Sequence, residues 1–198
     1  QSENATREKH PGFFGVTKIL KVEVMHRVSD YYGPVIYTSF GNKKMIYLPD
    51  SQQDVYYRFL DDLKTAVGIL ENHVNLAGYT PEFSRFDLLL DGKVESWIRF
   101  ANSLRLRLAI RMAMANPDRA RQEFVDAFAD PHGFFEEPTQ QVAVTTDNEY
   151  TNPLGEINRV WGEVYMNASM ESILNGFDDP RREAFFEPCP DDVLLQDR

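Results

Sequence analysis

One cysteine stands in 198 residues, which excludes an internal disulfide and any metal centre built from several thiolates. That residue, Cys189, lies between Pro188 and Pro190 with no base beside it, so a nucleophilic role is not expected. No apolar run approaches the ~20 residues that a helix needs to cross a bilayer. Gln1 opens a polar, charged stretch without the features of a signal peptide. Positive charge is short as well: 21 Lys and Arg against 31 Asp and Glu give a formal net charge of −10. That balance argues against nucleic acid, whose phosphates demand clustered cations, and equally against anionic lipid head groups. The motifs that mark many enzymes are missing, among them a Gly-rich phosphate loop, G-x-S-x-G and H-E-x-x-H. The four histidines, His10, His26, His73 and His132, are scattered singly and read as structural or surface groups. Acid pairs occur at Asp61-Asp62, Glu136-Glu137 and Asp147/Glu149. Glycoside hydrolysis needs two carboxyls held roughly 5–9.5 Å apart across a sugar, and neighbouring acids are read instead as solvated. No catalytic residue, metal ligand or cofactor is expected.

What is present begins with a helix. Val94, Trp97, Ala101, Leu104, Leu108 and Met112 recur three or four apart within Lys93 to Met114, the period of one helical face. Leu106 and Ile110 widen that face, while Arg99, Arg105, Arg107 and Arg111 fill the gaps. A helix apolar over so much of its circumference requires partners on more than one side, so it is predicted to be central. Asn116-Pro117-Asp118 then supplies an N-cap, a first-turn proline and a first-turn acid. The second helix is predicted to reach about Ala129, with Ala120, Phe124, Ala127 and Phe128 on one face, before Asp130-Pro131-His132-Gly133 stops it. So short a connection makes the two an antiparallel hairpin, the unit of tetratricopeptide-like stacks. Two earlier helices are predicted. One covers Gly12 to Ser29, with Val16, Ile19, Leu20, Val24 and Val28, and ends at Gly33-Pro34. The other is opened by Ser51 as N-cap with Asp54 in the capping-box place, and Val55, Phe59, Leu63, Ala66, Val67 and Leu70 form its apolar face.

Trp97-Ile98-Arg99-Phe100-Ala101-Asn102-Ser103-Leu104-Arg105-Leu106-Arg107-Leu108-Ala109 followed by Asn116-Pro117 resembles the "W-x-K-F-A-N-S-L-K-L-R-L-A" helix of SusD/RagB-like proteins. Those are surface lipoproteins that capture nutrients for Bacteroidetes outer-membrane transporters. Three further segments match in order. Asp30-Tyr31-Tyr32-Gly33-Pro34-Val35-Ile36-Tyr37-Thr38 resembles "D-x-Y-G-D-I-P-Y-S". Asp50-Ser51-Gln52-Gln53-Asp54-Val55-Tyr56-Tyr57 resembles "Y-D-S-Q-K-D-I-Y", and Asp178-Asp179-Pro180-Arg181-Arg182 resembles "N-D-P-R-L". The resemblance implies a mostly α chain of stacked tetratricopeptide-like helix hairpins with irregular loop insertions. It implies one SusD-like helical domain over residues 1–198, an internal fragment incomplete at its N-terminus and, since family members are longer, at its C-terminus. It further implies a non-enzymatic protein of the outer-membrane surface, held to the membrane by a lipid anchor outside this chain. Its partners would be an oligosaccharide or peptide nutrient and a SusC-like TonB-dependent transporter. An α/α glycoside hydrolase and a tetratricopeptide-like peptide scaffold stand as rivals.

After Phe134 the chain changes character. Thr145 to Pro153 is rich in turn formers, and the stretch from Asn148 to Tyr165 shows no helical apolar stripe. A short helix capped by Ser169 follows, over Met170 to Asn175, closed by Gly176. Rings beside amides in such loops offer stacking surfaces plus hydrogen-bond partners, the chemistry of sugar capture. Asn148, Tyr150, Asn152, Trp161 and Tyr165 are therefore the candidate ligand-binding residues. The rings of Tyr31, Tyr32, Tyr37, Phe40 and Tyr47 read as a cover over helix ends, with a ligand surface as the alternative.

Overall fold

A computed structural model describes residues 8–41, 45–77, 84–147, 149–162 and 165–186. It divides into two compact units, 1–144 and 145–198. Among the described residues the first unit holds four long helices: α1 (Pro11–Tyr32), α2 (Gln52–Ala77), α3 (Val94–Met112) and α4 (Pro117–Phe128). The described residues of the second form three short ones: α5 (Pro153–Trp161), α6 (Ala168–Gly176) and α7 (Arg181–Phe185). The architecture is helical, as the hairpin reading requires.

Helix α1 packs on α2, α2 on α3, and α3 on α4. Contacts between α1 and α2 run in opposite directions: Gly12 meets His73 and Gly15 meets Leu70, Lys18 meets Asp62 and Asp30 meets Tyr56. The two helices are therefore antiparallel. Gly15 is what lets them close, because a Cβ there would sit 2.9 Å from Leu70 Cγ. Lys64 on Glu123 and Asn116 on Tyr57 run in the same direction, so α4 lies parallel to α2, the relation of second helices in successive hairpins.

The core is one cluster drawn from all four helices, including Ile19, Phe59, Leu63, Leu70, Trp97, Ile98, Leu108 and Ala120. Helix α3 is central as predicted, buried at Trp97, Ala101, Leu104 and Leu108 on one side and at Ile98, Asn102, Arg105 and Ala109 on another. Its entry is fixed by Asp87. That carboxylate accepts the backbone N–H groups of Leu89, Leu90 and Gly92 and the indole of Trp97. Caps fall where the residue types demand them. Asn116 accepts from Arg119 N at 3.1 Å, and Ser51 Oγ accepts from Asp54 N at 3.1 Å while donating to Asp54 Oδ2. Between α1 and α2 the chain turns at Gly33, φ +76°. An isolated antiparallel bridge, Val35 to Asp50, then closes the loop.

Several expectations are corrected. Ile110, Phe124 and Phe128 are exposed, because α4 turns Ala120, Glu123 and Ala127 inward instead. Leu20 and Val24 of α1 face solvent, while Val22 and His26 are buried. Asp62 is not solvated: it is 3% exposed and binds Lys18 Nζ at 3.0 Å and the Tyr37 hydroxyl at 2.7 Å. Burial and then the Asp62 charge push the Tyr37 phenol well above its ordinary value. Arg105 fills no gap at the surface; it is buried, with Glu123 Oε2 3.8 Å away.

Candidate functional site

The stretch with the candidate rings is built from turns and one short helix. Asp147 Oδ1 accepts the backbone N–H groups of Glu149 and Tyr150 at 2.8 and 2.7 Å, and Asp147 N donates to Tyr150 O. This closed turn leaves the Tyr150 ring exposed. Asn152 then caps α5, its Oδ1 accepting from Leu154 N at 3.0 Å, with Pro153 at the first helical position. Its side-chain oxygen is thus committed to the helix, and Nδ2 is the group it can offer to a ligand. Trp161 ends α5, and Gly162 at φ +62° stops the helix by donating its N–H to Asn158 O. Tyr165 is exposed. Asn148 lies outside the described residues.

A helix at 153–161 departs from the expected irregular stretch. Its apolar residues, Leu154, Ile157, Val160 and Trp161, fall three and four apart, so a stripe exists, yet none of them is buried. Nine residues rise about 13 Å, with Trp161 as the last residue of the helix and Tyr150 in the turn three residues before its first. The next helix also starts earlier than expected: Asn167, not Ser169, is its cap, accepting from Ser169 N at 2.7 Å.

The first unit carries a cavity of about 380 Å³ that sequence reasoning did not find, lined by Asp30, Gln52, Gln53, Tyr56, Tyr57, Arg111, Met112, Ala115 and Asn116. It opens where the C-terminal ends of α1 and α3 meet the N-terminal ends of α2 and α4. Arg111 Nε lies 3.0 Å from Asp30 Oδ2 and donates to the Tyr56 hydroxyl at 3.2 Å, while that hydroxyl donates to Asp30 Oδ1. Burial and then the bond to Asp30 raise the Tyr56 phenol above its usual range. The Tyr56 phenol and Asp30 in turn hold Arg111 more firmly charged. Across the cavity, Asn116 Nδ2 and Gln53 Nε2 donate to the Tyr57 hydroxyl at 2.6 and 3.0 Å. The walls thus mix apolar surface from Met112 and Ala115 with a mutually bonded set of polar groups, suited to a hydroxylated or zwitterionic guest. Asp30, the one carboxylate among the described lining residues, is held in an ion pair with Arg111. Asp30 and Tyr56 lie in two of the family-like segments, where the neighbouring Tyr31 and Tyr32 are the more conspicuous rings yet are exposed to solvent. A second, almost wholly apolar groove of about 280 Å³ runs along α3 and α4 at Ala109, Ile110, Pro117 and Phe124.

A family model described as SusD-like, "Susd and RagB outer membrane lipoprotein", matches residues 1–194. Solved structures agree. A SusD homolog from Bacteroides vulgatus ATCC 8482 is 37% identical over 91% of this chain, at a TM-score of 0.82. A chitin-binding SusD homolog from Flavobacterium johnsoniae is 39% identical over 90%, also at 0.82. A SusD homolog from Bacteroides uniformis ATCC 8492 is 28% identical over 93%, at 0.81. The match takes in 36%, 37% and 38% of those three chains, so this chain spans little more than a third of their length. No curated protein matches it.

Proposed function

The chain belongs to the SusD-like family, and on that premise we propose that it is part of a surface protein that captures oligosaccharide and passes it to a TonB-dependent outer-membrane transporter. One observation carries the choice of ligand class: the Flavobacterium relative, 39% identical, is chitin-binding. The exposed rings of Tyr150, Trp161 and Tyr165 supply a matching chemistry, since sugar faces stack on aromatic faces. Rings flanking a helix about 13 Å long suit an extended chain of sugars better than a monosaccharide. Asn148, Tyr150, Asn152, Trp161 and Tyr165 are the proposed binding residues, and both compact units are proposed to serve one SusD-like domain. The capture is proposed to be non-catalytic, which the ion-paired state of Asp30 supports. Attachment at the outer membrane would come from a lipid anchor elsewhere in the protein. No helix among the described residues is long and apolar enough to cross a membrane.

The test is calorimetric titration of the full-length protein with chito-oligosaccharides of increasing length, beside starch oligosaccharides and short peptides. Affinity rising with sugar chain length, with no reducing ends released, is the expected result. Binding of the peptides alone, or steady release of reducing sugar, would overturn the proposal. Gentle detergent extraction of native membranes should also recover the protein with a large β-barrel.

A further inference from the structure

Glu71, Asp130 and His132 come from two separate segments and converge. Glu71 belongs to α2, while Asp130 and His132 lie in the turn after α4. One ligand atom from each, a carboxylate oxygen from the two acids and a ring nitrogen from the histidine, falls within 4.8 Å of the others. His132 Nδ1 is 3.3 Å from Glu71 Oε1 and 3.3 Å from Asp130 Oδ1. All three side chains are half-buried or nearly so, at 35%, 12% and 32% exposure for Glu71, Asp130 and His132, so they are shielded yet reachable.

The turn is held in place before any ligand arrives. Asp130 Oδ1 accepts His132 N at 3.0 Å, and Gly133, at φ +72°, donates its N–H to Asp130 O. From the central helix, Arg99 Nε donates to His132 O at 2.9 Å and Asn102 Nδ2 to Gly133 O at 3.0 Å. Two side chains of α3 therefore fix the backbone on which two of the three converging groups stand. Such support of the groups behind a site is what keeps ligands aimed.

We propose that Glu71, Asp130 and His132 bind a divalent transition-metal ion of the Zn²⁺ type. A four-coordinate zinc ion with bonds of about 2.0–2.1 Å has ligand-to-ligand edges of about 3.3 Å, which is the separation found on both edges that meet at His132 Nδ1. One imidazole with two carboxylates favours zinc, cobalt or nickel over calcium and magnesium, which prefer all-oxygen shells. Three protein ligands leave a fourth position for water. The ring would coordinate through an unprotonated Nδ1.

The experiment titrates metal-free full-length protein with zinc chloride by calorimetry and repeats the titration with calcium chloride. One equivalent of zinc should bind and calcium should not compete. Glu71→Gln and His132→Ala should each weaken zinc binding by at least roughly tenfold. Their melting points without metal show whether the fold survives, and Glu71→Gln, outside the turn, keeps the reading clear if His132→Ala loosens it. Cys189→Ser and His73→Asn should bind zinc as the parent does. Cobalt in place of zinc should give the intense visible absorption of a four-coordinate ion. Binding that persists in both ligand variants, vanishes only in Cys189→Ser, or never reaches one equivalent would overturn the assignment.

Discussion

The indole Nε1 of Trp97 donates to Asp87 Oδ2 at 2.6 Å, tying the central helix to the turn that introduces it. Asp87 also accepts three backbone N–H groups, so one carboxylate closes the turn and docks the largest fully buried ring of the core. The fold's most distinctive residue is thereby held by packing and by a bond to charge together.

Trp97→Phe keeps most of the ring and removes the donor, leaving Asp87 short of one partner in a buried place. A hydrogen bond to a charged group contributes about 1.5–3 kcal/mol. Denaturant unfolding of the variant should therefore show a loss of at least that size, with the lost ring volume adding to it. A change within experimental error would mean that the bond contributes nothing net.

Asp87 also sets an acid limit. Burial raises its carboxyl, but the bonds from Trp97, Leu90, Leu89 and Gly92 outweigh burial and hold it below the ordinary aspartate range. With the folded value depressed, the unfolded chain binds more protons in the window between the two values, so stability rises with pH there. The contribution is complete above the unfolded value and is lost as the pH falls through the folded one. Melting curves of the parent and Asp87→Asn should differ most near neutral pH and converge in acid. A difference constant with pH would remove Asp87 from the account.

How much of this was legible depended on the length of each pattern. The central helix announced itself because Trp97, Leu104 and Leu108 repeat over several turns, and Asn116-Pro117 marked its neighbour's start. The same pair of residue types recurs at Asn152-Pro153 and does cap a helix, yet nine residues gave too few turns for the stripe to stand out. Inward charges were not legible either. Asp62, Arg105 and Glu123 are buried beside opposite charges from other helices, a condition no local pattern records. The cavity at Asp30, Tyr56 and Arg111 escaped for the same reason, since its residues come from three helices distant in sequence.

Two faces of one helix give a sharp contrast. Leu104 is 2% exposed and Ile110 is 64% exposed. Leu104→Ala should cost about 2–5 kcal/mol of unfolding free energy, whereas Ile110→Ala should stay within about half a kcal/mol. Equal losses at both positions would mean that the α3–α4 face is covered in the full-length protein, which chemical denaturation of the complete chain would reveal.

Ligand binding puts the proposed sugar surface at greatest risk. Tyr150 is 72% exposed and Trp161 65%, so neither ring can hold the core of the second unit together. A ring stacked on a sugar acts mainly through buried apolar area, about 1.5–3 kcal/mol for full burial, which corresponds to roughly ten- to a hundredfold in affinity. Tyr150→Ala and Trp161→Ala should each weaken oligosaccharide binding to the full-length protein by that factor and leave its melting point almost unchanged. Because the rings flank α5, the double variant should lose the gain in affinity that longer sugars give, while a disaccharide is less affected. Tyr56→Phe, in the cavity of the first unit, should leave sugar affinity intact. If Trp161→Ala instead lowers the melting point with affinity unchanged, the stripe on α5 is a packing face. If Tyr56→Phe is the variant that loses affinity, the sugar sits between Asp30, Arg111 and Asn116, and the rings of the second unit serve another purpose.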